Sequence, residues 1–467
     1  KSVNLSSNRN LRFDFRNGRL QGQKILDIRA FLSLVKMYHF DKSANKNSLF
    51  DYLQRNFHNT IPNESVIPVG IKYGQNEKVA NNIWLTIHQP VTEKMITTGD
   101  NIPPTTSIDE VYYESSSLEN RHKSQTFQLQ KYHNFVKRSV LLRPASNLVG
   151  GSNILTILDL ACGKAGDLPK WKDIDAKIVV GTDIARDNLE NTKDGACVRY
   201  NNLVKSCKEK GEPYPLAYFF QADTKNNIIN EIKARDDEGS KIFRRLWYEF
   251  PDGNDPTHIY PRFDENKFTT VSLQFALHYF MESTGSLSGL LDNINNNLKK
   301  GGLFVGSCLD GTQVFNALQG QRHIEGTHDS NVLWKIEKGY IQDTFPDNNQ
   351  SLGLPIDVYM SSINRKHREY LVNFKYLKNK LAEHPYYLRP VTKEMASDIG
   401  LPSCYDPLTG LVSFRDLANS IVSASSGSNI QADAKELSYI RSALDKMTEA
   451  EKEISYLNVG FVFYKAA

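Results

Sequence analysis

The chain has 467 residues, 40% of them hydrophobic and 24% charged, the proportions of a folded protein long enough for two or three domains. No apolar run approaches the roughly 18 residues that a membrane-spanning helix needs, so a helical membrane protein is excluded. A formal net charge of +4 and a pI near 8.5 permit a polyanionic partner without demanding one. Cys162, Cys197, Cys207, Cys308 and Cys404 are scattered, form no CxxC pair and have no zinc-type spacing, so no metal is expected and a reducing compartment fits. The opening "KSVNLSSNRN" has neither an initiator Met nor the apolar stretch of a secretory signal, and reads as a processed or truncated product.

Residues 1–110 show short strand patterns in "LRFDF" and "VIPVGIKY", a helical pattern in "ILDIRAFLSLVKMYHF" and a linker in "DNIPPTTSID". A domain boundary is expected near residue 110. Beyond it, Phe127, Tyr132, Phe135, Val136, Val140 and Leu141 recur at helical spacing, which predicts one helix with a core-facing side.

From residue 154 the order is strand ("ILTILDL"), turn ("ACGKAG"), helix ("GDLPKWKD"), strand ("KIVVGTDI"), a polar helix through "DNLENTKDG", and strand ("LAYFFQADT"). "FTTVSLQFALHYF" then supplies a fourth strand entering a turn, and "LSGLLDNINNNLKKGGLFVGSCLDG" a helix, a Gly-Gly stop and a fifth strand. This alternation predicts a doubly wound α/β, Rossmann-like sheet. Residues 420–431 are Ser-rich and expected to be mobile; Thr448 and Glu451 have capping-box spacing ahead of a final alternating strand.

In such a sheet a ligand lies at the carboxyl ends of the strands, where strand order reverses, and the first strand-to-helix turn must let it approach the backbone. Ala161, Gly163, Ala165 and Gly166 provide that surface, and Asp183, 20 positions after Gly163, is where an acidic residue would hold ribose hydroxyls. Asp223 ends the third strand, and Asp167 opens the helix after the turn. Three carboxylates suit a cationic ligand such as S-adenosylmethionine better than a pyrophosphate. The turn is neither GxGxxG nor a Walker loop. Small residues alone carry little weight, since any strand-turn-helix needs them; their agreement with two strand-end aspartates carries more.

"LDLACGKAGDLPKW", preceded by "LQKYHNFVK" and followed by "TDI", "QAD" and "LQFALHYF", resembles the messenger RNA cap guanine-N7 methyltransferases. "IWLTIHQPVTEKMITTGDNIP", "GSCLDG" and "EKEISYLNVGFVFYK" are similar to the variant at the C-terminal end of large multifunctional viral-type capping enzymes. The resemblance implies a class I S-adenosylmethionine-dependent methyltransferase over residues 111–467, preceded by a β-rich, OB-fold-like end of a guanylyltransferase over residues 1–110. It implies that Lys137 and Asp167 meet the methionine end of the cofactor and that the backbone at Ala161 and Gly163 approaches it. Asp183 would hold the ribose, with Asp223 and Gln274 bordering the adenine. On the cap side it assigns His133 and Asn134, Lys164 toward the triphosphate, His278 and Tyr279 framing the guanine, Glu369 accepting from the guanine edge, and Tyr456, with Tyr112 or Tyr113, lining the pocket.

Departures from the family pattern are Ala161 and Ala165 for Gly and His133 for Asn; a methyl group is costly only where the backbone requires positive φ. Guanine N7 is a nucleophile at neutral pH, so alignment and electrostatics suffice, and Glu369 and Tyr279 would be supportive rather than acid-base groups. The chain carries no KxDG lysine nucleophile and should not itself transfer GMP. The implied partners are the 5′ end of capped RNA, a guanylyltransferase portion in cis, and a stimulatory subunit or transcription machinery. No membrane partner is expected, and the implied location is the cytoplasm, with packaging in virions, rather than the nucleus. Two other readings remain: a methyltransferase with another acceptor, and a catalytically silent scaffold. Residue by residue, the blander readings are solvent-facing Lys137, His133 and Asn134 on a polar helix face, His278 and Tyr279 as packing, and Glu369 on a charged, solvated helix.

Overall fold

The computed structural model describes residues 126–150, 154–232, 267–423 and 430–466, short pieces between residues 239 and 247, and three two-residue strands near the N-terminus. The chain divides into two compact units, Lys1–Thr105 and Thr106–Ala467. In the first, β1 (Phe13–Asp14), β2 (Arg19–Leu20) and β3 (Lys24–Ile25) pair antiparallel in that order. Ile25, expected to open a helix, belongs to β3. The remainder of that helix, "VIPVGIKY", the OB-fold expectation, Tyr112 and Tyr113 lie outside the described residues.

In the second unit a nine-stranded sheet is built around β4 (Thr156–Asp159), β5 (Ile178–Asp183), β6 (Leu216–Gln221), β7 (Phe268–Gln274) and β8 (Leu298–Leu309), all parallel. β13 (Leu388–Pro390), β14 (Tyr405–Asp406), β15 (Leu411–Ser413) and β16 (Asn458–Lys465) complete it. The strand order is β14-β15-β16-β8-β7-β4-β5-β6, with β13 paired to β16, which itself runs antiparallel to β8. Order reverses at β4, whose neighbours are β5 and β7, so the crevice belongs at its carboxyl end.

Successive residues of a strand face opposite ways. Ile157, Val179 and Val305 enter one core with Tyr132, Phe135 and Trp171; Leu158, Val180, Val271 and Phe304 enter the other with Leu290 and Leu291. That double burial explains why the central strands read as continuous apolar runs.

The helix expected over residues 127–141 is present as α1 (Phe127–Phe135), a π-helical segment (Val136–Leu142) and α2 (Arg143–Val149) in one continuous run. The turn after β4 leads to α3 (Leu168–Asp173). The polar helix expected after β5 is two helices, α4 (Arg186–Glu190) and α5 (Ala196–Lys210), because Asn191 turns the chain and its side chain accepts from the N–H of Lys193. After α6 (Thr284–Asn297) the Gly-Gly pair does not stop the chain between elements. It lies inside β8, where Gly301 at φ +74° accompanies a bulge against β7.

Between β8 and β13 is a second, antiparallel sheet, β9 (His323–His328), β10 (Asn331–Lys338), β11 (Pro355–Met360) and β12 (Arg365–Tyr370), ordered β12-β11-β10-β9. Helix α7 (Phe374–Ala382) follows it. Helices α8 (Phe414–Ser423), α9 (Ala434–Lys446) and α10 (Glu449–Tyr456) fill the connection from β15 to β16, and the expected Thr448–Glu451 capping box starts α10.

Candidate active site

All seven residues expected to bind the cofactor, Lys137, Ala161, Gly163, Asp167, Asp183, Asp223 and Gln274, line one cavity of about 270 Å³ at the carboxyl ends of β4 to β7. Gly163 turns the chain at φ +53°, and its N–H donates to Asp183 Oδ2 at 2.8 Å, binding the first turn to the end of β5. Asp183 Oδ1 also accepts from the Ala185 N–H at 2.9 Å and from Asn188 Nδ2 at 3.0 Å. Burial raises the Asp183 carboxyl, and these three donors oppose the rise. On the loop after β6, Asp223 accepts from its own loop at Lys225 N, 3.0 Å. That loop is pressed by α6: a Cβ at Gly289 would lie 1.8 Å from the Lys225 carbonyl oxygen, so only glycine fits.

The other end of the cavity is ionic. Lys137 Nζ lies 2.6 Å and Lys170 Nζ 2.8 Å from the same oxygen, Asp167 Oδ1. Burial pushes Asp167 up, but the two ammonium groups outweigh it and hold the carboxyl well below the usual range. Asp159, at the end of β4, is 2% exposed and has no such partner among the described residues. Burial, and then the Asp167 charge, push it up to about 8.

The cap-side residues do not share this cavity, except for Tyr279. His133 stacks on Phe275 with ring centroids 5.3 Å apart and its Nε2 is 3.0 Å from Ser455 Oγ, next to Tyr456. Burial, then Lys137, lowers His133 to about 3, so the ring is neutral at physiological pH. Asn134 is exposed. Tyr456 carries the Arg415 guanidinium 5.5 Å from its ring centre. Lys164 is held by Asp194 at 2.7 Å and does not line the cavity.

Glu369 is not on a charged helix. It lies on β12, opposite Ile356, on the same face as His367, which is opposite Val358, while Lys366 and Arg368 point outward. The five residues Arg365 to Glu369, all charged or titratable, hide a period of two. Glu369 Oε2 comes within 3.5 Å of His278 Nδ1, an approach too long for a hydrogen bond, and among the described residues neither His278 ring nitrogen has a hydrogen-bond partner. Burial raises Glu369 to about 8; burial, then His367, lowers His278 to about 3. Both are therefore neutral at pH 7, and the pair is an acid and a base with unspent hydrogen-bonding capacity, not an ion pair. The His278 and Tyr279 rings meet edge to face at 4.1 Å.

Of the two alanines that replace glycine, Ala161 has no positive φ, whereas Ala165 has φ +51° and is buried. Any strain from the departures therefore falls on Ala165. Residues that the sequence reading did not single out are Asp159, Lys170, Asn188 and Phe275. Asp159 and Lys170 lie within the quoted motif: an Asp ending an apolar run and a Lys one turn after Asp167 were the signals. For Phe275, which has φ +54° and lines the cavity between His133 and Gln274, nothing in the sequence announces the conformation.

The residues fit S-adenosylmethionine. A cavity lined by Asp167, Asp183 and Asp223 suits a cationic ligand, and Lys137, paired with Asp167, adds an ammonium group beside them. The profile of the mRNA (guanine-N(7))-methyltransferase domain matches residues 105–466. A probable mRNA-capping enzyme of Acanthamoeba polyphaga mimivirus is 30% identical over 336 residues, covering 68% of this chain and 27% of that protein. An mRNA cap guanine-N(7) methyltransferase of Caenorhabditis elegans is 29% identical over 199 residues, 42% of this chain and 43% of that one. The chain thus matches less than half the length of either relative. A solved S-adenosylmethionine-dependent methyltransferase from Clostridium acetobutylicum covers 72% of this chain and 92% of its own at 11% identity and a TM-score of 0.33, too distant to add to the strand order. By the profile match across residues 105–466, the chain belongs to the mRNA (guanine-N(7))-methyltransferase domain family.

Proposed function

We propose that this chain transfers a methyl group from S-adenosylmethionine to N7 of the guanine cap of messenger RNA. The observation that carries the reading is the meeting, at one switch point, of a carboxylate-lined cavity with the neutral Glu369–His278 pair across Tyr279. The cofactor supplies an electrophilic methyl group on a sulfonium centre. Lys137 and Asp167 hold the methionine end, Asp183 takes the ribose hydroxyls, and Asp223 and Gln274 border the adenine.

The guanine edge offers N–H donors, and Glu369 as a carboxylate accepts them. Its ionised form also favours the positive charge that methylation places on the ring. No residue must remove a proton from N7, so rate comes from alignment of nucleophile and methyl group. His133, Asn134, His278, Tyr279 and Tyr456 form the acceptor side, and Lys164 exchanges Asp194 for a cap phosphate. The implied setting is a larger capping enzyme with a guanylyltransferase portion in cis and a stimulatory subunit, acting in the cytoplasm or packaged in virions. Among the described residues no helix is long and apolar enough to cross a membrane.

The test is incubation with labelled S-adenosylmethionine and GpppA-capped RNA, followed by digestion. N7-methylguanosine that vanishes in Asp183→Ala and Glu369→Ala supports the reading. Cofactor binding with the cap left unmethylated would sink it in favour of a scaffold, and cofactor turnover on another acceptor would favour the second methyltransferase reading.

A further inference from the structure

Among the described residues, helix α1 receives no side-chain cap from its own N-cap residue, Thr126. The N–H groups of a helix's first turn need partners. One partner comes from 322 residues along the chain, where Glu451 Oε1 accepts from the Leu129 N–H at 3.2 Å. Glu451 Oε2 accepts from the Thr448 N–H at 2.9 Å and the Thr448 hydroxyl at 3.2 Å, closing the capping box of α10. The side chain is 2% exposed. One buried carboxylate therefore caps two helix N-termini, where both helix dipoles favour negative charge.

These two helices carry the acceptor side of the proposed site: His133 and Asn134 on α1, Tyr456 on α10. Farther along, His133 and Ser455 join the same helices at 3.0 Å. We propose that Glu451 is a positioning residue for cap recognition, fixing α1 against α10 so that His133 and Tyr456 face one ligand. This inference rests on the cap-methylating function proposed above.

The requirement is for a carboxylate, not merely for a capping residue. Glutamine serves equally in a capping box. However, it has one acceptor oxygen where glutamate has two, and its amide nitrogen cannot accept from a backbone N–H. Glu451→Gln can therefore keep the local box or the link to Leu129, but not both. Lys137, two residues beyond the end of α1, is anchored independently through Asp167, and its neighbour Arg138 through Glu436. Loosening the start of α1 should thus reach the cap side before the cofactor side.

The experiment compares Glu451→Gln and Thr448→Ala with the unsubstituted chain, measuring melting temperature, S-adenosylhomocysteine affinity, and kcat and KM for GpppA-capped RNA. Thr448→Ala weakens the box and spares the Leu129 link, so its melting temperature falls with KM unchanged. Glu451→Gln raises KM about 5-fold, the equivalent of about one net hydrogen bond, while kcat and cofactor affinity stay within about twofold. If KM rises in both variants in step with lost stability, or in neither, Glu451 is only a structural cap and the inference falls. An unsubstituted chain that binds cofactor but leaves GpppA unmethylated overturns the functional reading as well, a result distinguishable from the first.

Discussion

The cavity proposed for the cofactor and the side proposed for the acceptor handle charge in opposite ways. In the cavity, Asp167 is kept ionised by two lysines on one oxygen, and Asp183 already accepts from three donors. On the acceptor side, burial leaves Glu369 and His278 neutral, and the His278 nitrogens have no hydrogen-bond partner among the described residues. A ligand with permanent charges can be met by fixed charges whose mutual pairing offsets their desolvation. A nearly neutral heterocycle that becomes cationic only on reaction is better met by a group that can ionise as the ligand arrives.

The strongest way to break this contrast is Asp183→Ala. It removes both carboxylate oxygens proposed for the ribose, and cofactor affinity should fall by about 10² to 10⁴, two charge-assisted hydrogen bonds. Calorimetric titration with S-adenosylhomocysteine reads it, and a loss under about tenfold would show that the pre-formed carboxylate is not the ribose anchor. Next is Glu369→Gln, for which KM for capped RNA should rise about 10- to 100-fold with cofactor affinity unchanged. A loss of cofactor affinity instead would merge the two regions.

The pH dependence sharpens the comparison. Glu369, raised to about 8, is protonated in the free site at neutral pH, whereas the guanine edge needs its carboxylate. Binding must release that proton, so KM should fall as pH rises from 6 toward 8, by up to about tenfold per pH unit, and level off above. The profile should be flatter in Glu369→Gln. A wild-type KM that is level or rises over this range contradicts a buried neutral acid. The smallest effect is expected at Ala165→Gly. Relief of the strain at φ +51° is offset by lost methyl burial and added unfolded-state freedom, each about 1 kcal/mol, so stability should change by less than about 1 kcal/mol. Thermal unfolding checks it, and a larger loss would mean that the methyl group packs where the family's glycine leaves space.

How far the sequence could be read follows the same division. That the residues proposed for the cofactor line one cavity was legible because a parallel sheet places strand ends side by side, so an Asp at the end of each of two apolar runs must converge. Lys137 converges with them because the π segment that carries it packs against α3, the helix that starts after Asp167. Glu369 is not legible as a strand residue because both faces of β12 are polar: His367 and Glu369 point inward and Lys366 and Arg368 outward, with no Val or Ile to reveal the alternation. The π segment escaped notice as well, since its apolar positions still satisfy a helical period.

By itself the sequence determined the order of the βα units, the small-residue turn with Asp183 behind it, and the capping box of α10, all set by contacts within a few dozen residues. Only the tertiary structure decided that the Glu451 of this box also caps α1, that Lys170 joins Lys137 on Asp167, and that Glu369 and His278 are neutral. The physical reason is that burial sets these properties. Whether a carboxyl is ionised, and which helix it caps, depend on which distant elements exclude water from it and which donors they bring.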